Sequence, residues 1–176
     1  PNRRAVLAFA HEQFRLCRRL GLDLGVALVD LDHFRQVNDR AGSAVGDRVL
    51  RAFAQSADEV LRGQERIGRY GGDEWLLVMP GAGVDELAPA FEGMRARLRA
   101  ERIDALPHPH AISMSMGGAE LGPAIESLEA LIDEADRQLY LAKACGRDAL
   151  RHAPAQSPPG REGPTLTAAT AASVSG

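Results

Sequence analysis

Apolar residues recur at Leu7, Ala10, Phe14, Cys17 and Leu20, a three-to-four spacing that predicts one face of a helix stopped by Gly21. The aliphatic run from Leu24 to Val29, ending in Asp30, is short and unbroken and reads as a buried strand. Beyond the polar Asn38-Asp39-Arg40 stretch and Gly42, helical spacing returns from about Ala44 to Leu61. It sets Val45, Val49, Phe53, Ala57 and Val60 on one face, with Gly63 as the stop. Two strands, Glu65 to Tyr70 and Glu74 to Met79, flank Gly71-Gly72. That pair predicts a tight hairpin, since glycine tolerates the positive φ such turns require. Val84, Leu87, Phe91, Met94 and Leu98 predict a third helix, and Ala111 to Met116 a strand. Leu128, Leu131, Ile132, Ala135, Leu139 and Ala142 predict a fourth helix ended by Gly146, with Ala149 to His152 as a last strand.

Helices alternating with single strands and one hairpin give an α+β class with a central, mostly antiparallel sheet flanked by helices. Residues 1–152 are read as one domain. From residue 153 to 176 Pro, Gly, Ala, Ser and Thr replace the apolar period, which predicts a disordered tail. The whole chain of 176 residues, 45% hydrophobic, suffices for one core and not comfortably for two. A formal charge of -3 gives no general attraction to polyanions, so no nucleic-acid partner is expected and a phosphate ligand must be met by individual residues. Cys17 and Cys145 lack metal-ligand spacing and are read as core or half-buried thiols, which fits a reducing cytoplasm. No apolar run reaches the roughly 20 residues of a membrane span. The opening Pro1-Asn2-Arg3-Arg4, without Met, predicts a missing upstream region, one that senses an unknown input and anchors the full-length protein to a membrane if it carries a span.

The chemistry concentrates in acids. Asp30 and Asp32 close the first strand, where a lone Asp-x-Asp is most simply a solvated strand end with Asp32 as a helix N-cap. The hairpin changes this, because adjacent strands would bring Asp73 within about 5 Å of Asp30. Converging carboxylates stay ionised only with a cation between them, and all-oxygen ligands favour Mg²⁺ or Mn²⁺ over Zn²⁺. Such a centre suits phosphoryl or nucleotidyl transfer, where paired metals stabilise the attacking and leaving oxygens. No P-loop and no Gly-x-Gly-x-x-Gly fingerprint is present to hold phosphates. Lys143 is the single lysine in a chain whose other basic side chains are arginines, which suggests a site needing a compact ammonium, and Arg147 follows one helical turn later.

Four motifs in order resemble those of the GGDEF-type diguanylate cyclase domain: Asp30-Leu-Asp-His-Phe-Arg-Gln-Val-Asn38-Asp, Gly46-Asp47, Arg69-Tyr-Gly-Gly-Asp-Glu-Trp75 and Lys143-Ala-Cys-Gly-Arg147. The resemblance covers about Pro1 to His152. It implies a palm-like fold similar to adenylyl cyclase catalytic domains and ferredoxin-like sheets, and condensation of two GTP into cyclic di-GMP and two pyrophosphates across a homodimer formed at least transiently. It also implies Mg²⁺ or Mn²⁺, two per site, held by Asp30, Asp73 and the Leu31 carbonyl with Glu74 as a further carboxylate. Asn38 and Asp47 would read guanine, and Arg35, Lys143 and Arg147 would hold phosphates. Phe34, Ser43, Gly71 and Gly72 would line the substrate, and the proton of the attacking hydroxyl would go to Asp73.

The chain departs from the family pattern at Trp75 for the usual Phe, Arg35 for Lys and Ser43 for His. An upstream product-inhibition motif, usually Arg-x-x-Asp, reads Arg62-Gly-Gln-Glu65. A degenerate module that only binds GTP or cyclic di-GMP is the rival reading. A polymerase or an adenylyl cyclase on the same palm is a further one.

Overall fold

The computed structural model describes residues 2–61, 63–103, 106 and 112–154. The predicted strand start at Ala111, the Arg62 of the inhibition motif and all of the expected tail from residue 155 lie outside the described residues.

β1 (Leu24–Leu31) is the sheet's central strand, antiparallel to β3 (Glu74–Pro80) on one side and to β4 (Met114–Glu120) on the other. β2 (Arg66–Arg69) adds antiparallel to β3, and β5 (Leu150–His152) adds parallel to β4, giving the order β2-β3-β1-β4-β5. The predicted α+β class with a mostly antiparallel sheet is what forms. All eight residues of β1 are buried, because both faces of the sheet are covered. Ala27, Val29 and Leu31 pack toward α3 (Ser43–Val60) and α4 (Leu87–Ala100) with Phe53, Phe91 and Met94. Val26 and Leu28 pack toward α1 (Arg3–Leu20) and α5 (Leu128–Ala144).

The six apolar positions predicted for α5 are its six buried residues, and Ser127 caps it by accepting from the Ala130 amide. α1 buries Ala10, Phe14 and Cys17 as predicted and packs Leu7 half-buried against the core, while Leu20 is 56% exposed. Val6, outside the predicted set, is buried as well, because Gly68 on β2 leaves it room: an added methyl there would come within 2.6 Å of Val6 Cβ. Val84 belongs to a 3-10 turn (Val84–Glu86) ahead of α4. Cys17 is buried as expected, but Cys145 is exposed, since α5 has already turned away from the sheet at its last residue.

Two features differ more deeply. α2 (Phe34–Ala41) was not foreseen, and it has no fully buried residue from which an apolar period could be read. The hairpin is not a tight positive-φ turn: neither Gly71 nor Gly72 has a positive φ. Instead the Tyr70 and Gly71 amides both donate to the Glu74 carbonyl, at 2.8 and 3.0 Å, and Arg69 Nε donates to the Gly72 carbonyl at 2.9 Å. The Glu74 side chain lies over Gly71, and its Oε2, 2.5 Å from where a methyl would stand, would have to swing aside for a larger residue. Trp75 fits its core position, its ring centroid 5.0 Å from that of Phe53, but its indole N–H is buried without an acceptor among the described residues. Such an orphan costs about 1–3 kcal/mol.

α5 sits directly on the sheet at Gly117 of β4. A methyl there would stand 2.0 Å from the Leu139 amide nitrogen and 2.2 Å from the Ala135 carbonyl oxygen, both backbone atoms with no rotamer to escape into. Gly117→Ala is therefore expected to lift α5 and cost at least about 2 kcal/mol in urea unfolding. A midpoint within error of the wild type would show that helix and strand are not in contact here.

Candidate active site

Three elements meet at the C-terminal end of β1. Their junction is a cavity of about 320 Å³ walled by Asp30 and Leu31 of β1, Asp73 of the hairpin, and Lys143 and Arg147 at the end of α5. Phe34 and Arg35 of α2 close the remaining side. Seven of the sequence-predicted site residues thus share one cavity. The strand register puts Glu74, not Asp73, directly across from Asp30, and Asp73 lies one residue further into the turn, its carbonyl accepting from the Leu31 amide at 3.4 Å. The expected convergence of Asp30 and Asp73 therefore arises from the turn, not from cross-strand pairing.

Like charges placed directly opposite on neighbouring strands repel. Burial pushes the Asp30 carboxyl up from its ordinary 3.8 to about 6; Lys143 Nζ, 2.9 Å from Oδ2, pulls it back, and the charges of Asp73 and Glu74 add to the rise. Burial outweighs the ammonium in this balance.

The other predicted residues group elsewhere. Asn38 of α2 lies against Gly46 of α3, so closely that a methyl on Gly46 would stand 1.9 Å from Asn38 Oδ1 and 3.2 Å from Phe34 Cζ. Asp47 follows Gly46 and is exposed, as is Ser43 at the first turn of α3. Asn38, Gly46 and Asp47 thus form an elbow between α2 and α3, one step beyond the cavity. Arg35 reaches into solvent, with Asp39 Oδ2 3.9 Å from its Nε. Glu74 leans on Gly71. Glu65 is turned inward on its own loop, where Oε2 accepts from the Gly63 amide at 2.6 Å.

The simple reading of Asp32 as an N-cap fails. His33 occupies that position, at φ 58 and with no side-chain cap bond. Asp32 is instead 2% exposed and accepts from Ser115 Oγ (2.7 Å), Ser113 Oγ (2.7 Å) and the Asp148 amide (3.0 Å). Sequence reading also passed over His33, Gln36 and Asp39, which line the cavity. Their one signal was membership of the motif that runs from Asp30 to Asp39, and α2 itself had no apolar period to expose its orientation.

Among the described residues no three His, Cys, Asp or Glu side chains form a cation cage of their own. Two carboxylates and a carbonyl at one rim do fit Mg²⁺, which takes one or two protein carboxylates and completes its shell with water and substrate phosphate. Asp30 adds the chemical motive, as a buried carboxyl destabilised by neighbouring acids.

Comparison with known proteins agrees with this geometry. The family model described as the diguanylate cyclase GGDEF domain matches residues 1–149. The chain is similar to the probable diguanylate cyclase DgcC of Escherichia coli K12, 33% identical over 147 residues, covering 84% of this chain and 39% of that protein. Its fold is similar to diguanylate cyclase SiaD of Pseudomonas aeruginosa, solved in complex with its activator SiaC, with a TM-score of 0.81 and 33% identity over 87% of this chain and 58% of that one. It is also similar to the GGDEF domain of DgcB from Caulobacter crescentus in complex with c-di-GMP, with a TM-score of 0.78 and 28% identity over 86% and 87% of the two chains. The chain thus spans well under half the length of the curated relative it matches.

The raised Asp30 value has a sign that can be tested. The stability tied to its neutral form is whole below 3.8 and is lost as pH rises through about 6. Asp30→Asn, which cannot ionise, is expected to melt above the wild type in chelator at about pH 8, with the gap closing as acid neutralises the wild-type carboxyl. A wild type that is the more stable at the alkaline end would mean that Lys143 outweighs burial after all.

Proposed function

The chain belongs to the GGDEF family of diguanylate cyclase domains, and from that membership we propose that it condenses two GTP into cyclic di-GMP, releasing two pyrophosphates. The observation that carries the proposal is one cavity in which acids for a cation, Asp30 and Asp73, share walls with cations for a triphosphate, Lys143 and Arg147. A domain that only binds nucleotide is free to lose the acids of its metal motif, and here Asp30, Asp73 and Glu74 are all retained.

Each active site holds one GTP, so two copies of the chain face each other, and the 3′-hydroxyl of each nucleotide attacks the α-phosphorus of the other. A bond forms from 3′-oxygen to phosphorus, the bond to the β-phosphate oxygen breaks, and pyrophosphate leaves. Lys143 and Arg147 bind the triphosphate and neutralise the charge that grows on it. Asn38 and Asp47 take the guanine edge, whose N–H donors suit a carboxylate, while Phe34, Ser43, Gly71 and Gly72 border the nucleotide. Asp30, Asp73 and the Leu31 carbonyl, with Glu74 beside them, would hold Mg²⁺ or Mn²⁺, which when bound supplies charge neutralisation and acidifies the attacking hydroxyl. Asp73, facing the cavity without being the carboxylate that Lys143 pairs with, accepts the proton. Much of the rate comes from holding the two nucleotides in line.

Product feedback is assigned to the same site, through the guanine pair, and not to Arg62 and Glu65. The Glu65 carboxylate is already engaged by its own loop, and a ligand there has to displace that bond. Cyclic di-GMP bound undiminished by Asn38→Ala, Asp47→Ala would reverse this assignment.

Incubated with GTP and Mg²⁺ at high protein concentration, the chain is expected to yield cyclic di-GMP by chromatography. Asp73→Ala should lower the rate at least about 100-fold. GTP bound without any product would instead identify a sensor. Gly46→Ala displaces the Asn38 amide and crowds Phe34, whose Cζ would stand 3.2 Å from the new methyl, so the KM for GTP should rise about tenfold, the loss of one good hydrogen-bonded base contact, with a lowered melting temperature. An unchanged KM would remove Asn38 from guanine recognition.

A further inference from the structure

Arg147 lies just past α5, in an unusual stretch of backbone. Gly146, Arg147 and Asp148 have φ values of 113, 65 and 47°, so two consecutive side-chain-bearing residues occupy the left-handed region. Such residues persist only where their surroundings over-determine them, and here the surroundings can be named. The Asp148 amide donates to Asp32 Oδ2 at 3.0 Å, and both oxygens of Asp32 are fixed in turn by the hydroxyls of Ser113, just before β4, and Ser115 on it. From the other side Arg99 of α4 donates to Asp148 Oδ2, and Arg95 Nη1 donates to the Asp148 carbonyl at 3.3 Å. The next residue is tied to the sheet, its carbonyl accepting from the Met116 amide at 2.9 Å.

We infer that Asp32, Asp148 and Arg99 are positioning residues: they hold the left-handed turn that aims Arg147 into the cavity and so set the grip on the substrate's phosphates. Asp32 is a buried carboxylate beside the candidate metal ligand Asp30, yet its oxygens accept from three donors, two of them uncharged hydroxyls and one the backbone amide of the turn's last residue. A carboxylate that is occupied in this way has orientation, and not ligation, as its task. Arg99 reaches the same turn from the opposite side of the sheet, so the phosphate grip is braced by α4 as well as α5. The inference rests on the reading of Arg147 as a phosphate residue, proposed above.

A double-mutant cycle with 3′-deoxy-GTP, which lacks the attacking hydroxyl and cannot react, tests both by calorimetry in Mg²⁺. Asp32→Ala and Arg147→Ala are each expected to weaken binding about tenfold, the scale on which outer partners of a ligating side chain act, and the double variant to bind no worse than either alone. Arg99→Met, which leaves the buried carboxylate intact, should weaken binding about threefold with Arg147 present and not at all without it. It decides the matter if Asp32→Ala does not fold. Asp148→Asn, which keeps the amide and a side-chain acceptor, should bind like the wild type. A purely structural role for Asp32 or Arg99 would weaken binding equally in both backgrounds, and that result overturns the inference. Binding that depends on Arg147 but not on Asp32 or Arg99 overturns it alone, whereas binding undiminished in Arg147→Ala overturns the phosphate assignment and this inference together.

Discussion

The ion pair between Asp30 and Lys143, 2.9 Å long and set where a buried strand ends, is the contact on which the site turns. Each partner comes from an element whose position is fixed by the core and not by the site. β1 is buried on both faces and can deliver Asp30 only at its end, where water and α5 meet it. α5 is seated on β4 by the absence of a side chain at Gly117, and its last turn carries Lys143 to the same edge. Two rigid elements bring opposite charges together before any ligand arrives, which is how a site on helices and strands gains precision over one on loops.

Around that pair the site divides by rigidity. Asp30 and Leu31 of β1 and Asp32 just past it are buried, whereas Arg35 on α2 and Ser43 and Asp47 at the start of α3 are exposed. The two groups match two tasks in the proposed reaction. Charge compensation at the reacting phosphorus needs fixed geometry, because an error of a fraction of an ångström there is felt in the rate. Contact with the outlying guanine and with a second copy of the chain tolerates side chains that settle as the partner arrives.

Sequence periodicity revealed the elements that owe their place to apolar burial. α5 was legible to the residue, and so were β1 and the core face of α3 apart from its half-buried last position. α2 was not, because it is held by Phe34 and Asn38 against Gly46, a tertiary contact that leaves no period in the chain. The hairpin was found for the wrong reason. Glycine was read there as the freedom to adopt a positive φ, and neither glycine uses it. On α1 the burial of Val6 was missed because the decisive residue, Gly68, lies far along the chain on β2. Steric absences of this kind are invisible until both partners are known.

Asp30 and Asp32 show the same limit for chemistry. They are identical residues two positions apart, one in β1 and the other just past its end, and nothing local in the sequence separates them. Their neighbours across the sheet do. Asp30 stands opposite Glu74 and beside Asp73, so its charge is opposed by acids and must be met by an ammonium or a metal ion. Asp32 is hydrogen-bonded to Ser113 and Ser115, so its charge is spread over hydroxyls and a backbone amide and asks for nothing more. One register therefore gives the two aspartates different surroundings, on which their proposed roles of ligand and support rest. A shift of β3 by a single residue would move Glu74 out of line with Asp30 and send its side chain to the other face, so the electrostatics that define this site are written in strand pairing as much as in the acids themselves.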